Sequence, residues 1–244
     1  MINYIKNLIR KVFKSNGYNI HVTPINPSNN EELLINVLFK KYGIDQILDI
    51  GASRGQYINS IRQMGYCKKF ISFEPVKEAY EELKNRYDGD MMVKSYNVAI
   101  GDTNKDVLIN VSECDLCSSV LAVNDITIKA EPATKHISKE KCKMRALDFF
   151  YNEFTDNIML KIDVQGFEKN VLLGATKTLK KAKILFVEMS LIELYKGEAS
   201  FSDIVKMLEK KGFELYAITP AFMDNSNGRM LQVDGLFVKK EALS

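Results

Sequence analysis

Short apolar runs alternate with helical periodicity along most of the chain, and this alternation constrains the fold more than any other feature. The runs Gln46–Ile50, Lys69–Phe73, Met92–Val98, Asn157–Ile162, Ile184–Val187, Phe213–Ile218 and Gly235–Val238 read as strands. Between them, Gly55–Met64, Val76–Arg86, Glu168–Lys180 and Phe201–Lys211 carry helical spacing. Strand-helix alternation of this kind predicts a doubly wound, mostly parallel sheet with helices on both faces. The last two strands are separated only by the turn region Asn225-Ser-Asn-Gly228, which predicts an antiparallel final strand. The fold class is therefore α/β with a seven-stranded sheet. Asp106 to Leu147 breaks the pattern: alternating Val107, Ile109 and Val111 predict an antiparallel excursion, and polar Asn124 to Glu140 reads as a mobile loop.

The 244 residues, 46% of them hydrophobic, suit one large domain. We place it at 29–244, with a helix from Asn29 or Asn30 to Tyr42 leading into it and ended by Gly43. Residues 1–28 form an N-terminal extension. In it, Ile2, Ile5, Leu8, Ile9, Val12 and Phe13 lie on a helical face among Lys6, Arg10, Lys11 and Lys14. Such a basic amphipathic helix packs its apolar stripe on the domain or a second copy, or rests on an anionic membrane surface. Asn16 to Asn30, with Gly17, Pro24 and Pro27, reads as a linker. With no membrane span and no signal-peptide pattern, the expectation is a cytoplasmic protein, peripheral at the inner membrane face if the helix docks there. The net charge of +3 does not call for a nucleic-acid partner. Cys114 and Cys117 have C-x-x-C spacing, but with only Cys67 and Cys142 elsewhere a structural zinc site lacks ligands. Reduced thiols are expected, and no metal among them.

A doubly wound fold holds its ligand at the first strand-to-helix turn. That turn is Asp49-Ile-Gly-Ala-Ser-Arg-Gly55. Gly51 lets the backbone leave the strand, and Gly55 lets the next helix come close. The spacing is G-x-x-x-G, and the dinucleotide pattern G-x-G-x-x-G is absent. A pyrophosphate needs several bare amides at a helix N-terminus, whereas a nucleoside ligand without phosphate, such as S-adenosylmethionine, needs an open backbone and an acid for its ammonium. Asp49 is placed as that acid.

Three further strand ends carry acids. Phe73-Glu74-Pro75 closes the second strand, where a carboxylate can accept both ribose hydroxyls. Ala99-Ile-Gly-Asp102 follows the third, where Asp102 is a candidate for the adenine amino group. Leu160-Lys-Ile-Asp-Val-Gln-Gly-Phe-Glu168 closes the fourth. Asp163 there should face the reacting centre, beside Glu188 at the end of the neighbouring strand. Two close carboxylates resist ionising together, which suits a general base or leaves room for a divalent cation such as Mg²⁺. Glu168 either supports them or simply favours its helix N-terminus. His136 is an alternative base that reads more simply as a surface histidine. Ser118 and Ser119 are candidates to line the cleft.

Taken together, Ile47-Leu-Asp-Ile-Gly-Ala-Ser-Arg-Gly-Gln-Tyr57, Phe73-Glu-Pro75, Ala99-Ile-Gly-Asp102, Ser118-Ser-Val-Leu121, Leu160-Lys-Ile-Asp-Val-Gln-Gly-Phe-Glu168 and Val171-Leu-Leu-Gly-Ala175 resemble the FkbM-type methyltransferases, over roughly Ile44 to Val238. The resemblance implies a class I, Rossmann-like methyltransferase fold and S-adenosylmethionine as cofactor. It implies O-methylation of a sugar, glycan or natural-product hydroxyl, in polysaccharide or secondary-metabolite biosynthesis. It places Ser53, Tyr57 and Ser118 with Asp49, Gly51, Gly55, Glu74 and Asp102 in the cofactor site and Asp163 at the chemistry, where the strand order adds Glu188. Base N-methylation is disfavoured, since no Pro-Pro-aromatic follows the acid of strand four. A non-catalytic nucleotide-binding or membrane-docking module remains the alternative. Oligomerisation of the chain is left open.

Overall fold

A computed structural model describes residues 11–15, 17, 26–28, 30–114 and 116–240. The chain divides into two units, residues 1–38 and residues 39–244. In the first, residues 11–15 are helical and exposed, and the rest of the expected basic helix lies outside the described residues. Asn30 Oδ1 accepts from the Leu33 amide at 2.8 Å, capping helix α1 (Glu31–Tyr42) as its side chain predicts.

The second unit is built on a seven-stranded sheet. Its strands are β1 (Gln46–Ile50), β2 (Lys69–Phe73), β3 (Val93–Tyr96), β7 (Ile158–Ile162), β8 (Ala182–Ser190), β9 (Phe213–Asp224) and β10 (Arg229–Lys239), in the order β3-β2-β1-β7-β8-β10-β9. β10 runs antiparallel between β8 and β9, and the other pairings are parallel. This is the class I methyltransferase sheet that the resemblance implies. The final hairpin is longer than its apolar core suggested, because β9 and β10 extend past their apolar residues as a two-stranded ribbon. β1 and β7 are buried along their whole length, so they read as apolar runs rather than alternating ones. Their register sets Asp49 opposite Lys161. The chain leaves β1 toward β2 on one side and meets β7 on the other, so a crevice opens beyond Ile50 and Ile162. Helices α2 (Gln56–Gln63), α3 (Lys77–Arg86) and α7 (Phe201–Lys210) lie close to their expected positions.

Three segments differ from expectation. The third expected strand splits: β3 stays in the main sheet, while β4 (Ala99–Gly101) joins β5 (Lys105–Ser112) and β6 (His136–Ala146) in a separate sheet, order β4-β6-β5. The expected mobile loop is ordered. It contains helix α4 (Asp125–Ala130) and a 3-10 turn at Pro132–Thr134, and runs on into β6. Long-range hydrogen bonds hold it: Asn124 N and Thr127 Oγ1 both donate to the Leu194 carbonyl at 2.8 Å. The helix expected over Glu168–Lys180 is two helices, α5 (Glu168–Leu173) and α6 (Thr178–Lys181). Asp148 divides them, its carboxylate accepting from the Lys177 and Thr178 amides at 2.8 Å. In each case the partner is remote in sequence.

Among the described residues no helix is long and apolar enough to cross a membrane. Helix α7, which covers β8 and β9, begins with a capping box in which the Ser200 hydroxyl accepts from the Asp203 amide and Asp203 accepts from the Ser200 amide. Ser200→Ala is expected to cost about 1 kcal/mol. Urea unfolding should show a lower midpoint at unchanged slope, with no change in ligand affinity.

Candidate active site

The site is set by close approach of two strand ends. Gly51 sits at φ 81°, and a Cβ there would overlap the Asp163 carbonyl oxygen. Asp163 N donates to the Ile50 carbonyl at 3.1 Å, and the Gly51 amide donates to Phe73 O at 3.0 Å. Gly55 lies at φ 83°, where a Cβ would come within 2.8 Å of Leu83 and 2.7 Å of Tyr87. Both glycines therefore hold the roles their spacing predicts.

Behind the turn lies a charge network. Lys161 Nζ is 3.3 Å from Asp49 Oδ1 and 3.2 Å from Asp163 Oδ2, and it donates to the Gly51 carbonyl at 3.2 Å. Burial opposes the ammonium, but Asp163 and Asp49 outweigh it and raise its pKa. Burial pushes the Asp49 carboxyl up, and Lys161 pulls it back. Although Asp49 is close to Lys161, neither of its oxygens has a hydrogen-bond donor aligned on it, and buried Ser53 Oγ has no partner either. Lys161 lies within a segment that the sequence singles out, yet its charge gave no sign that it would be buried. Tyr57 stands beside this network, its ring centroid 5.4 Å from Lys161 Nζ and 6.2 Å from the Phe186 ring.

Glu74, only 5% exposed, ends β2. Its Oε2 accepts from Ser53 N and its Oε1 from Val76 N, both at 2.8 Å. Burial pushes its carboxyl up to about 7 despite those bonds. It borders a mainly apolar slot that also includes Gly51, Ile100, Ser119, Val164 and Phe167.

Two of the expected cofactor residues lie elsewhere. Although Ile100 on β4 lines the slot, Asp102 does not. It is exposed and accepts from Asn170 Nδ2 at 3.1 Å. Ser118 is half-buried and accepts from the Ser112 amide at 3.2 Å, away from the slot, which its neighbour Ser119 lines instead. The Ser119 hydroxyl donates to the Gln165 carbonyl at 2.7 Å. His136 opens β6, outside the slot, and burial lowers its pKa.

Asp163 and Glu188 do converge, joined by a residue to which the sequence assigned no role. Gln165 Nε2 donates to Asp163 Oδ1 at 2.8 Å and to Glu188 Oε2 at 2.7 Å. Gln232 Nε2 also donates to Glu188 Oε2, at 2.9 Å. Burial, then the Asp163, Glu168 and Asp234 carboxylates, raise the Glu188 pKa well above its ordinary value. Glu168, pushed by burial up to about 8, ties the loop by accepting from Val164 N and Gly166 N. Among the described residues no cluster of three or more His, Cys, Asp or Glu is placed to hold a metal ion. A cavity of about 230 Å³ adjoins Glu188, Gln165 and Gln232, walled by Thr127, Tyr195 and Phe222. Cys114 and Cys117 also border it and form a disulfide, contrary to the expected free thiols, because a tight turn in which Cys117 N donates to Cys114 O brings their Cα atoms to 5.3 Å.

Residues 49–215 match the family described as the Methyltransferase FkbM domain. The chain belongs to this family. It is a methyltransferase that depends on S-adenosylmethionine. A curated relative, 2-O-methyltransferase NoeI of Sinorhizobium fredii (strain NBRC 101917 / NGR234), is 26% identical over 185 residues, covering 71% of this chain and 74% of that protein. Among solved structures, a putative S-adenosylmethionine dependent methyltransferase from Listeria monocytogenes is 11% identical with TM-score 0.47, covering 84% of this chain and 96% of the other. Magnesium protoporphyrin IX methyltransferase (ChlM) from Synechocystis PCC 6803, with bound SAM, is 12% identical with TM-score 0.42, covering 96% of each chain. The residues of this FkbM methyltransferase fit such a methyl donor: the Gly51 turn leaves the backbone open, Glu74 borders an apolar slot, and the buried oxygens of Asp49 and Ser53 Oγ accept no hydrogen bond among the described residues.

The raised Glu74 carboxyl has a consequence for stability. The folded protein holds this proton up to about pH 7, whereas the unfolded chain releases it near 4.5. Between those values the folded state binds more protons, so this group's contribution to stability falls as pH rises. Glu74→Ala is expected to lessen the decline in melting temperature across that window, the share due to Glu168 and the other raised carboxyls remaining, and differential scanning calorimetry of the ligand-free proteins checks it.

Proposed function

We propose that this FkbM methyltransferase transfers the methyl group to a hydroxyl of a sugar, glycan or natural-product acceptor. The observation that carries this reading is the cavity beside Glu188. Glu188, Glu131, Gln165 and Gln232 set polar groups into a lining that is otherwise largely apolar, with Leu116 and Phe222 among it, a mixture that suits the hydroxyls and the C–H groups of such an acceptor. The printed name of NoeI as a 2-O-methyltransferase supports oxygen as the accepting atom.

S-adenosylmethionine supplies a methyl group already bonded to a good leaving group, so the chain's task is alignment and proton removal. In this reading Glu74 accepts the ribose hydroxyls with the lone pairs its amide donors leave free. The apolar slot takes the adenine between Ile100, Val164 and Phe167. Asp49, with Ser53 and Tyr57 nearby, serves the methionine end, and Lys161 keeps the charge there balanced. Asp163 and Glu188 are the carboxylates at the chemistry, and Glu188 borders the acceptor cavity.

Calorimetric titration with S-adenosylmethionine and S-adenosylhomocysteine tests the donor site. Micromolar binding of both is expected. Glu74→Ala should weaken it by roughly 10- to 100-fold, the worth of one or two hydrogen bonds to a charged group. Radiolabelled methyl transfer to a panel of glycosides, with and without magnesium, then tests the acceptor. Transfer to nitrogen acceptors and to no hydroxyl compound would overturn the reading.

A further inference from the structure

The Gln165 amide is held in one orientation from three directions. Gln165 has φ 55°, a left-handed backbone that few residues other than glycine adopt. Its carbonyl accepts from Ser119 Oγ at 2.7 Å, which fixes the backbone. The Tyr195 hydroxyl lies 2.7 Å from Gln165 Oε1 and 3.4 Å from the Cys117 carbonyl. Ionised carboxylates only accept, so the Gln165 NH₂ points at Asp163 and Glu188, and its side-chain oxygen is left facing the Tyr195 hydroxyl, which donates to it. Tyr195 is 1% exposed, so water does not compete for that bond.

The consequence for the carboxylates is unequal. Asp163 is occupied at both oxygens, Oδ1 by Gln165 and Oδ2 by Lys161. Glu188 accepts both of its amide donors, from Gln165 and Gln232, at Oε2. Glu188 Oε1 has no hydrogen-bond partner among the described residues, and Glu188 borders the cavity. We infer that Glu188, through Oε1, takes the acceptor's proton, and that Gln165, aimed by Tyr195, is the residue that positions it. Asp163 instead remains the partner of Lys161. This assignment rests on the acceptor reading above.

The step balances. The acceptor oxygen forms a bond to the methyl carbon as the carbon–sulfur bond breaks, its electron pair staying on sulfur, and the hydroxyl proton passes to Glu188 Oε1. The charged groups around Glu188 are Asp163 and Lys161 on β7, Glu168 at the start of α5 and Asp234 opposite it on β10. Three are carboxyls and one is an ammonium, so an ionised Glu188 is a stronger proton acceptor than a solvated glutamate.

Two measurements separate this inference from the acceptor reading. The first needs no acceptor: protein carrying ¹³C-labelled glutamate is titrated across neutral pH and read at the side-chain carboxyl carbons. A carboxyl titrating above the ordinary range, absent in Glu188→Gln, identifies Glu188. Tyr195→Phe frees the amide to turn, and Gln165→Asn keeps a left-handed backbone but is too short to bridge. Each removes a donor from the ionised carboxylate, so each should move that titration upward. An unmoved titration in both variants overturns the positioning role, whether or not an acceptor has been found. The second uses the glycoside that takes the methyl in the panel. Glu188→Gln should lower kcat by roughly 10²- to 10⁴-fold while donor affinity stays within about twofold. Asp163→Asn should chiefly weaken donor binding. Full turnover in Glu188→Gln, or lost turnover in Asp163→Asn with donor affinity intact, overturns the assignment. If no glycoside accepts the methyl group, the acceptor reading fails, and the carboxyl titration still decides the positioning role.

Discussion

A lysine in the middle of a parallel sheet buried on both faces is tolerated only if its charge is met there. Lys161 is such a residue, set by register opposite Asp49 and two positions before Asp163. The ammonium also donates to the Gly51 carbonyl, so it ties the glycine turn to the end of β7 as well as balancing the acids. Removing one member would leave a buried charge without its partner, which typically costs several kcal/mol. The turn, the two strand ends and the orientation of Asp163 all depend on this one network.

Around that network the chain separates two environments. On the β2 side, Glu74 sits among apolar side chains, which suits a flat aromatic ring and a pair of ribose hydroxyls. On the β8 side, Glu188, Gln165 and Gln232 border a second cavity, whose lining mixes these polar groups with apolar ones. The stretch that separates β5 from β6 builds much of that cavity, through Cys114, Cys117 and Thr127. This stretch does not carry the strand-helix alternation, so acceptor preference can vary with it while the central sheet stays the same.

Most of the fold was legible in the sequence, and so was part of the candidate site. The boundaries of β1, β2 and α2 follow from apolar periodicity and glycine placement, since local backbone preference and burial agree there. Asp49, Gly51, Gly55, Glu74, Asp163 and Glu188 were readable because strand ends in this fold class converge on one crevice. Asp102 and Ser118 do not line the slot. The strand before Asp102 joins a second sheet, a choice made by pairing with distant β6 that no local pattern encodes. Ser118 and Ser119 differ only in which one the turn aims inward, and buried Asn110 decides that by donating to the Ser119, Val120 and Leu121 carbonyls.

The sequence by itself determined the alternation, the turn that takes a nucleoside without a phosphate and the acids at the strand ends, because each depends on residues near one another in the chain. Tertiary structure alone decided that Lys161 is buried between two acids and that the 124–140 segment is ordered by the Leu194 carbonyl. It alone decided that Gln165, with Tyr195 behind it, joins Asp163 to Glu188. These features rest on hydrogen bonds and ion pairs between segments remote in sequence, and an amide or an ammonium carries no local signature of the partner it will meet.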